Sequence, residues 1–355
     1  MKRTILTVAA AAATTLTLAA CGGGFESPAD SGDTADTESE AADSGSVSAA
    51  DAETVYRVAF NQNDQHPQFV SITNLGQRIA EATDGMCSLE VYPNETLGTQ
   101  KDTIELVQAG TLDFAIIAGP LLENFNTDFA VFNLPYTFDS QEHQRAVLDD
   151  PEITGELFAS IEDQNIAVLA GMHGGIRNVY NSIQPVNTPE DLDGMKIRVI
   201  ESDTNLRMME LMGGSGSPMG QGEVYTAIQS GVIDGGENNP SIFANLKHDE
   251  VAPYYSYTQH LMFPDYLISN PSVLEDMDPA CNEALFAELP AALVEEGQLW
   301  VEEVEASTAA AEEAGAEFNE VDLEAFREAV APLVEESLTN ETTQELYDKV
   351  RAAAE

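Results

Sequence analysis

Between Thr54 and Ala118 the apolar residues switch repeatedly between two spacings, and that alternation restricts the chain to one broad class of fold. Thr54-Val55-Tyr56-Arg57-Val58-Ala59-Phe60 alternates and is rich in β-branched and aromatic residues, as a strand is. After Pro67, residues Phe69, Ile72, Leu75, Ile79 and Ala82 recur at helical spacing, and Gly85 stops the run. Ser88-Leu89-Glu90-Val91-Tyr92 reads as a second strand ended by Pro93, and Gln100 to Ala109 as a second helix ended by Gly110. Phe114-Ala115-Ile116-Ile117-Ala118 is then a short, fully apolar strand. Strand, helix, strand, helix, strand predicts an α/β lobe with parallel strands.

The second half repeats the pattern. Residues 166–170, 177–180 and 195–200 read as strands, Thr188-Pro189-Glu190-Asp191 as a helix start, and Val224 to Gln229 as a helix ended by Gly231. Val107-Gln108-Ala109-Gly110-Thr111-Leu112-Asp113 is echoed by Ile228-Gln229-Ser230-Gly231-Val232-Ile233-Asp234 at the same place in a βαβ pattern, which points to two related lobes. Beyond Asn270 the chain turns helical and acidic. Stretches 284–314 and 322–353 carry apolar stripes among many Glu residues, as helices bracing the lobes from outside would, with their charge runs as solvated faces.

The amino terminus is a different kind of sequence. Lys2 and Arg3 precede an apolar run from Thr4 to Ala20 that is too short and too rich in Ala and Thr to span a bilayer, so residues 1–20 read as a signal peptide. Leu18-Ala19-Ala20-Cys21, followed by three glycines, resembles a lipobox; either Cys21 is lipidated or the chain is cleaved after Ala20 and released. Residues 21–53 have almost no large apolar side chains and read as a disordered acidic tether, leaving 54–355 to fold. If Cys21 carries lipid, Cys87 and Cys281 remain as an even pair in an oxidising compartment. They are bridged or free according to whether their Cα atoms approach.

The formal net charge is −48, with only 14 Lys and Arg in 355 residues, two of them in the leader. Phosphate contacts need clustered basic residues, so nucleic acid is excluded as a partner. The sequence holds no Gly-x-Ser-x-Gly, no His-Glu-x-x-His, no P-loop, and no Cys/His spacing suited to zinc. No enzyme, cofactor or metal is therefore expected. Scarce arginines become informative instead. On the strand at 195–200, Met195, Ile197 and Val199 face one way, and Arg198 faces the other with Lys196 and Ile200. Arg177 follows the loop His173-Gly174-Gly175. Each is either the partner of one of the many acids or a fork for gripping a carboxylate.

One long ordered set adds to this reading: Gly194-Met195-Lys196-Ile197-Arg198-Val199, Ser217-Pro218-Met219, and the block from Glu223 to Pro240 containing Gly235-Gly236-Glu237-Asn238-Asn239-Pro240. Tyr92-Pro93-Asn94, Leu97-Gly98 and Gly110-Thr111-Leu112-Asp113 accompany it. Together they resemble the extracytoplasmic substrate-binding proteins of tripartite ATP-independent periplasmic (TRAP) transporters, from about Val55 to Leu346.

The resemblance implies an α/β, two-lobed, periplasmic-binding-protein-like fold. Mixed β-sheets flanked by helices would be joined by crossing strands and a long helix. Lobe I would span about 54–170 plus part of the C-terminal region, lobe II about 171–270, and a helical region 271–355. It implies a small-molecule carboxylate ligand closed between the lobes and delivered to TRAP membrane subunits. Arg198 would make the main salt bridge, with Arg177 supporting it and Asn238 binding polar groups. Asn61 would contact ligand, Met219 and Gln221 would line the wall, and His66, Gln100, Asn178 and Glu237 would be further contacts. Glu237-Asn238-Asn239 is similar to members that bind uronates and related sugar acids. The expected location is outside the cytoplasm, lipid-anchored at the outer face of the cell membrane or periplasmic. A lipid-anchored sensor or adaptor presenting the same ligand is the alternative.

Overall fold

The glycines that close the first two helices take backbone angles other residues avoid, with φ of 84° at Gly85 and 65° at Gly110. The computed structural model describes residues 48–354. The chain runs β1 (Thr54–Ala59), α1 (Pro67–Ala82), β2 (Cys87–Tyr92), α2 (Gln100–Gln108) and β3 (Phe114–Ala118), as the alternation predicts. Next come α3 (Gln141–Asp149), α4 (Pro151–Ala159), β4 (Ala167–His173), β5 (Arg177–Asn181), β6 (Lys196–Val199), α5 (Asp203–Leu211) and β7 (Ser215–Pro218). Then follow α6 (Val224–Gln229), β8 (Gly235–Asn238), α7 (Pro240–Asn245), β9 (Tyr254–Leu261) and β10 (Pro264–Ser269). The end is α8 (Pro271–Asp276), α9 (Pro279–Ala314), β11 (Glu317–Asn319), α10 (Leu323–Ser337) and α11 (Glu341–Ala352).

These strands build two mixed sheets, β2-β1-β3-β10-β4 and β11-β9-β5-β8-β6-β7. Strand β10 lies within the range read as lobe II, yet it pairs antiparallel with β3 and β4 in the first sheet. The chain therefore crosses between sheets three times, from β4 to β5, back from β9 to β10, and again through α9 to β11. The first two crossings touch, and a Cβ on Gly174 would lie 2.6 Å from the Phe263 carbonyl oxygen.

Helix α9 ties the halves together. Its 36 residues extend about 54 Å at the usual rise. Near its middle Glu295 meets Arg78 Nη1 of α1 at 2.8 Å, and farther on Glu303 accepts from Ser241 and Asn245 of α7. Those two acids are bound to neighbouring helices, so the charge run is not simply a solvated face. Cys87, opening β2, and Cys281, in the first turn of α9, form a disulfide with Cα atoms 6.1 Å apart.

Three expectations change. The helix start at Thr188 has its capping box, but only a 3-10 turn, Pro189–Leu192, follows. Gly194, at φ 79°, turns the chain into β6 before a second helical turn can form. The end of the segment read as tether is built into the domain: Ala49–Asp51 forms a 3-10 turn, Ala49 N–H donates to Gln77, and Glu53 N–H donates to the Gly85 carbonyl. The stretch 322–353 is two helices, broken where Asn340 caps α11. The signal peptide, Cys21 and the rest of the tether lie outside the described residues. Among those residues no helix is long and apolar enough to cross a membrane.

Candidate functional site

Antiparallel pairing of β5 with β8 sets Asn178 opposite Asn238 and Val179 opposite Glu237, while β6 runs parallel to β8 with Arg198 beside Gly236. The start of β5 and the ends of β6 and β8 thus meet at one edge of the second sheet. Glycines make the close approach possible, because a Cβ on Gly235 would fall on the Tyr180 carbonyl.

Both arginines are buried there, in opposite electrostatic situations. Arg177 is 4% exposed and forks onto Glu237, with Nη2 donating to Oε1 at 2.8 Å and Nε donating to Oε2. Its Nη1 donates to Asn238 Oδ1 at 2.9 Å, and its guanidinium lies 5.0 Å from the centre of the Phe263 ring. Burial works against both charges, yet each holds the other: the Arg177 pKa is raised, and Arg177 and His260 keep the Glu237 carboxyl down at about 2.

Arg198, 3% exposed, has no carboxylate within ion-pair distance among the described residues. Its Nε and Nη2 donate to the Met219 carbonyl at 3.0 and 2.8 Å, and Nη1 donates to Gln221 Oε1 at 3.3 Å. Burial pushes its pKa down. The face it shares with Lys196 is exposed at Lys196 and covered at Arg198, because the segment 219–221 closes over it. A guanidinium has five N–H donors, so Arg198 retains donors beyond these three contacts. Gln221 Nε2 beside it is also buried without a hydrogen-bond partner. The pair can supply donors to an acceptor-rich, negatively charged group.

The other expected residues divide clearly. Asn238 Nδ2 donates to Gln221 Oε1 at 3.4 Å, linking the two arginines. Asn178 is occupied internally, donating to the Ile176 carbonyl and to Tyr255 and accepting from Gln259 N–H. Glu237 is fully buried with both oxygens on Arg177, so it holds the arginine rather than facing the gap. His66 caps α1 and packs edge-on against Trp300, and burial lowers its pKa to about 3. Gln100 Oε1 accepts from Ala118 N–H at 2.6 Å, fastening α2 to the end of β3. Asn61 follows β1 and is half-buried, between Phe60 and Gln62, whose carbonyls accept from Glu95 and Asn94. Sequence reasoning missed Phe263, His260 and Glu95. His260 Nε2 stands 3.6 Å from Glu237, and the Glu95 carboxylate reaches from the first sheet's side to lie against Gly222. No motif marks any of the three.

A cavity of about 540 Å³ elsewhere is lined by α3 and α9, but its arginine, Arg145, is already held by Asp149 and the Gly171 carbonyl.

Residues 58–341 match the family described as bacterial extracellular solute-binding protein, family 7. The chain belongs to that family. A TRAP periplasmic solute-binding protein from Anaerococcus prevotii, solved with bound D-glucuronate, is 38% identical, with a TM-score of 0.82 over 85% of this chain and 98% of that one. A second, from Xanthobacter autotrophicus with bound β-D-galacturonate, is 34% identical, with a TM-score of 0.80 over 84% and 99%. A solute-binding protein of Chromohalobacter salexigens is 36% identical over 76% of this chain and 81% of its own length. The chain is thus a two-lobed solute-binding protein of the TRAP kind.

Proposed function

We propose that this receptor captures a hexuronate, such as D-glucuronate or D-galacturonate, with Arg198 as the group that takes the carboxylate. The observation carrying the reading is the contrast between the arginines: Arg177 has its acid inside the protein, and Arg198 has no carboxylate at ion-pair distance among the described residues. The bound ligands of the two structural neighbours support the sugar-acid class. Arg177, Asn238 and Gln221 orient Arg198 and offer donors to ring oxygens, with Asn61 approaching from the first lobe and the Met219 side chain forming wall. In the open form water solvates Arg198. The guest's carboxylate replaces that water, and closure then excludes solvent and strengthens each charged hydrogen bond. Such a site binds and releases its guest unchanged.

Isothermal titration with D-glucuronate, D-galacturonate and D-glucose tests this. Both acids should bind and the neutral sugar should not, and Arg198→Ala should weaken the acids by about 2–5 kcal/mol. Equal binding of glucose, or full affinity after the substitution, overturns the reading.

We also propose export and lipid attachment at Cys21, which the leader and the Leu18–Cys21 motif support. Cys21→Ser should move the protein from the membrane fraction to the soluble one. An unchanged distribution rejects the anchor.

A further inference from the structure

The sheet orders show where the gap between the lobes opens. The crossings use β4 and β10 at one side of the first sheet and β5, β9 and β11 toward one side of the second. The strands at the opposite edges are β2 and β7. The segments that follow those two strands are therefore the ones farthest from the crossings, and in this structure they meet.

The carboxylate of Glu95, three residues past β2, comes up against Gly222, four residues past β7, and lies within the field of Arg198. The fit is close: a Cβ on Gly222 would sit 2.7 Å from Glu95 Oε2. Glu95 is also held in an unusual way. Asn94 and Glu95 both have left-handed backbones, with φ of 59° and 55°. Asparagine tolerates that region, but for Glu95 it costs roughly 1–3 kcal/mol and persists only where the surroundings impose it. Here the surroundings do: Asn94 N–H donates to the Gln62 carbonyl at 2.8 Å and Glu95 N–H to the Phe60 carbonyl at 3.1 Å. The loop that aims Glu95 is thereby fastened to the loop that carries Asn61. A strained residue, tied to a ligand-side loop and set against a glycine of the other lobe, is more than an ordinary turn requires.

We infer that Glu95 is a mouth latch, whose carboxylate takes the Gly222 amide on closure and faces Arg198 from the opposite lobe, so that release of the guest must first break this contact. The inference rests on reading the chain as a receptor that closes over a uronate, and it adds a residue that governs residence time. Gly222 is the matching half, because any side chain there displaces the carboxylate.

The test uses spin labels on the two lobes, read by double electron–electron resonance, together with stopped-flow dissociation of D-glucuronate, for wild type, Glu95→Ala, Gly222→Ala and Glu223→Gln. Glu223 is another acid near Glu95, so its variant changes local charge without touching the latch contact. Both latch variants should widen the lobe–lobe distance distribution and speed dissociation about tenfold, the order expected for one charged hydrogen bond. Glu223→Gln should match wild type. Distance distributions and dissociation rates unchanged in both latch variants overturn the latch, as does an equal effect from Glu223→Gln. If wild type ignores every uronate, the substrate reading fails instead. The distance distributions alone then decide the latch.

Discussion

Arg177 and Glu237 interlock fork to fork, two hydrogen bonds joining side chains that are 4% and 0% exposed. The pair sits one strand from Arg198, and its members answer different needs. Glu237 satisfies Arg177 so that Arg177 can hold Asn238, and Asn238 in turn contacts Gln221, whose other neighbour is Arg198. A compensated arginine supports an uncompensated one.

Removing the acid should therefore be costly to the fold. Glu237→Gln leaves a buried guanidinium without its counter-charge, and a loss of about 3–5 kcal/mol is expected from urea unfolding. A change below about 1 kcal/mol would mean the charge is solvated in a way the structure does not contain.

At Arg198 charge alone should not suffice. The guanidinium uses Nε, Nη1 and Nη2 in different directions, which a lysine ammonium on its flexible stem cannot copy. Arg198→Lys should keep melting temperature near wild type while weakening D-glucuronate about tenfold or more by calorimetry. Full affinity in that variant would reduce the role of Arg198 to a point charge.

The first lobe was legible because its evidence is local. Each period change from β1 to β3 is bounded by Pro67, Gly85, Pro93 or Gly110, and each element formed where the spacing placed it. Strands β9 and β10 left no such trace. They are separated by only Met262 and Phe263, and local spacing does not say that those two residues pass between sheets. The site was legible by residue type and opaque in its roles. That Arg177 and not Arg198 meets Glu237 depends on the pairing of β5 with β8 across 60 residues. Glu95 was invisible because its meaning lies in backbone angles and in a glycine beyond the far strand of the other sheet.

The disulfide closes a long loop, with Cys87 and Cys281 separated by 194 residues. It joins β2 to the helix that spans both lobes, so it restrains the unfolded chain strongly. Replacing both cysteines by serine should lower stability by about 2–5 kcal/mol in urea unfolding, with uronate affinity within about threefold because the bridge is remote from Arg198. A large loss of affinity with little loss of stability would contradict this placement.

Stability should also pass through a maximum with pH, set by buried groups of opposite sense. Burial raises the Asp265 carboxyl to about 7 and that of Glu296 to about 8, and lowers His66, His173 and His248 to about 3. Between about pH 3 and 6.5 the unfolded histidines bind protons that the folded ones refuse, so stability rises with pH across that window. The two carboxyls act oppositely. Folded, they keep protons that the unfolded chain has lost above about pH 4–4.5, so each subtracts stability until the pH passes its folded value. Above about pH 6.5 the histidine contribution is complete and only the carboxyls still change, so stability should decline toward about pH 8. Melting temperatures from pH 4 to 9 check the shape. The double variant Asp265→Asn, Glu296→Gln should flatten the decline and leave the acid-side rise in place. An alkaline limb identical to wild type would show that these two carboxyls are ionised in the fold.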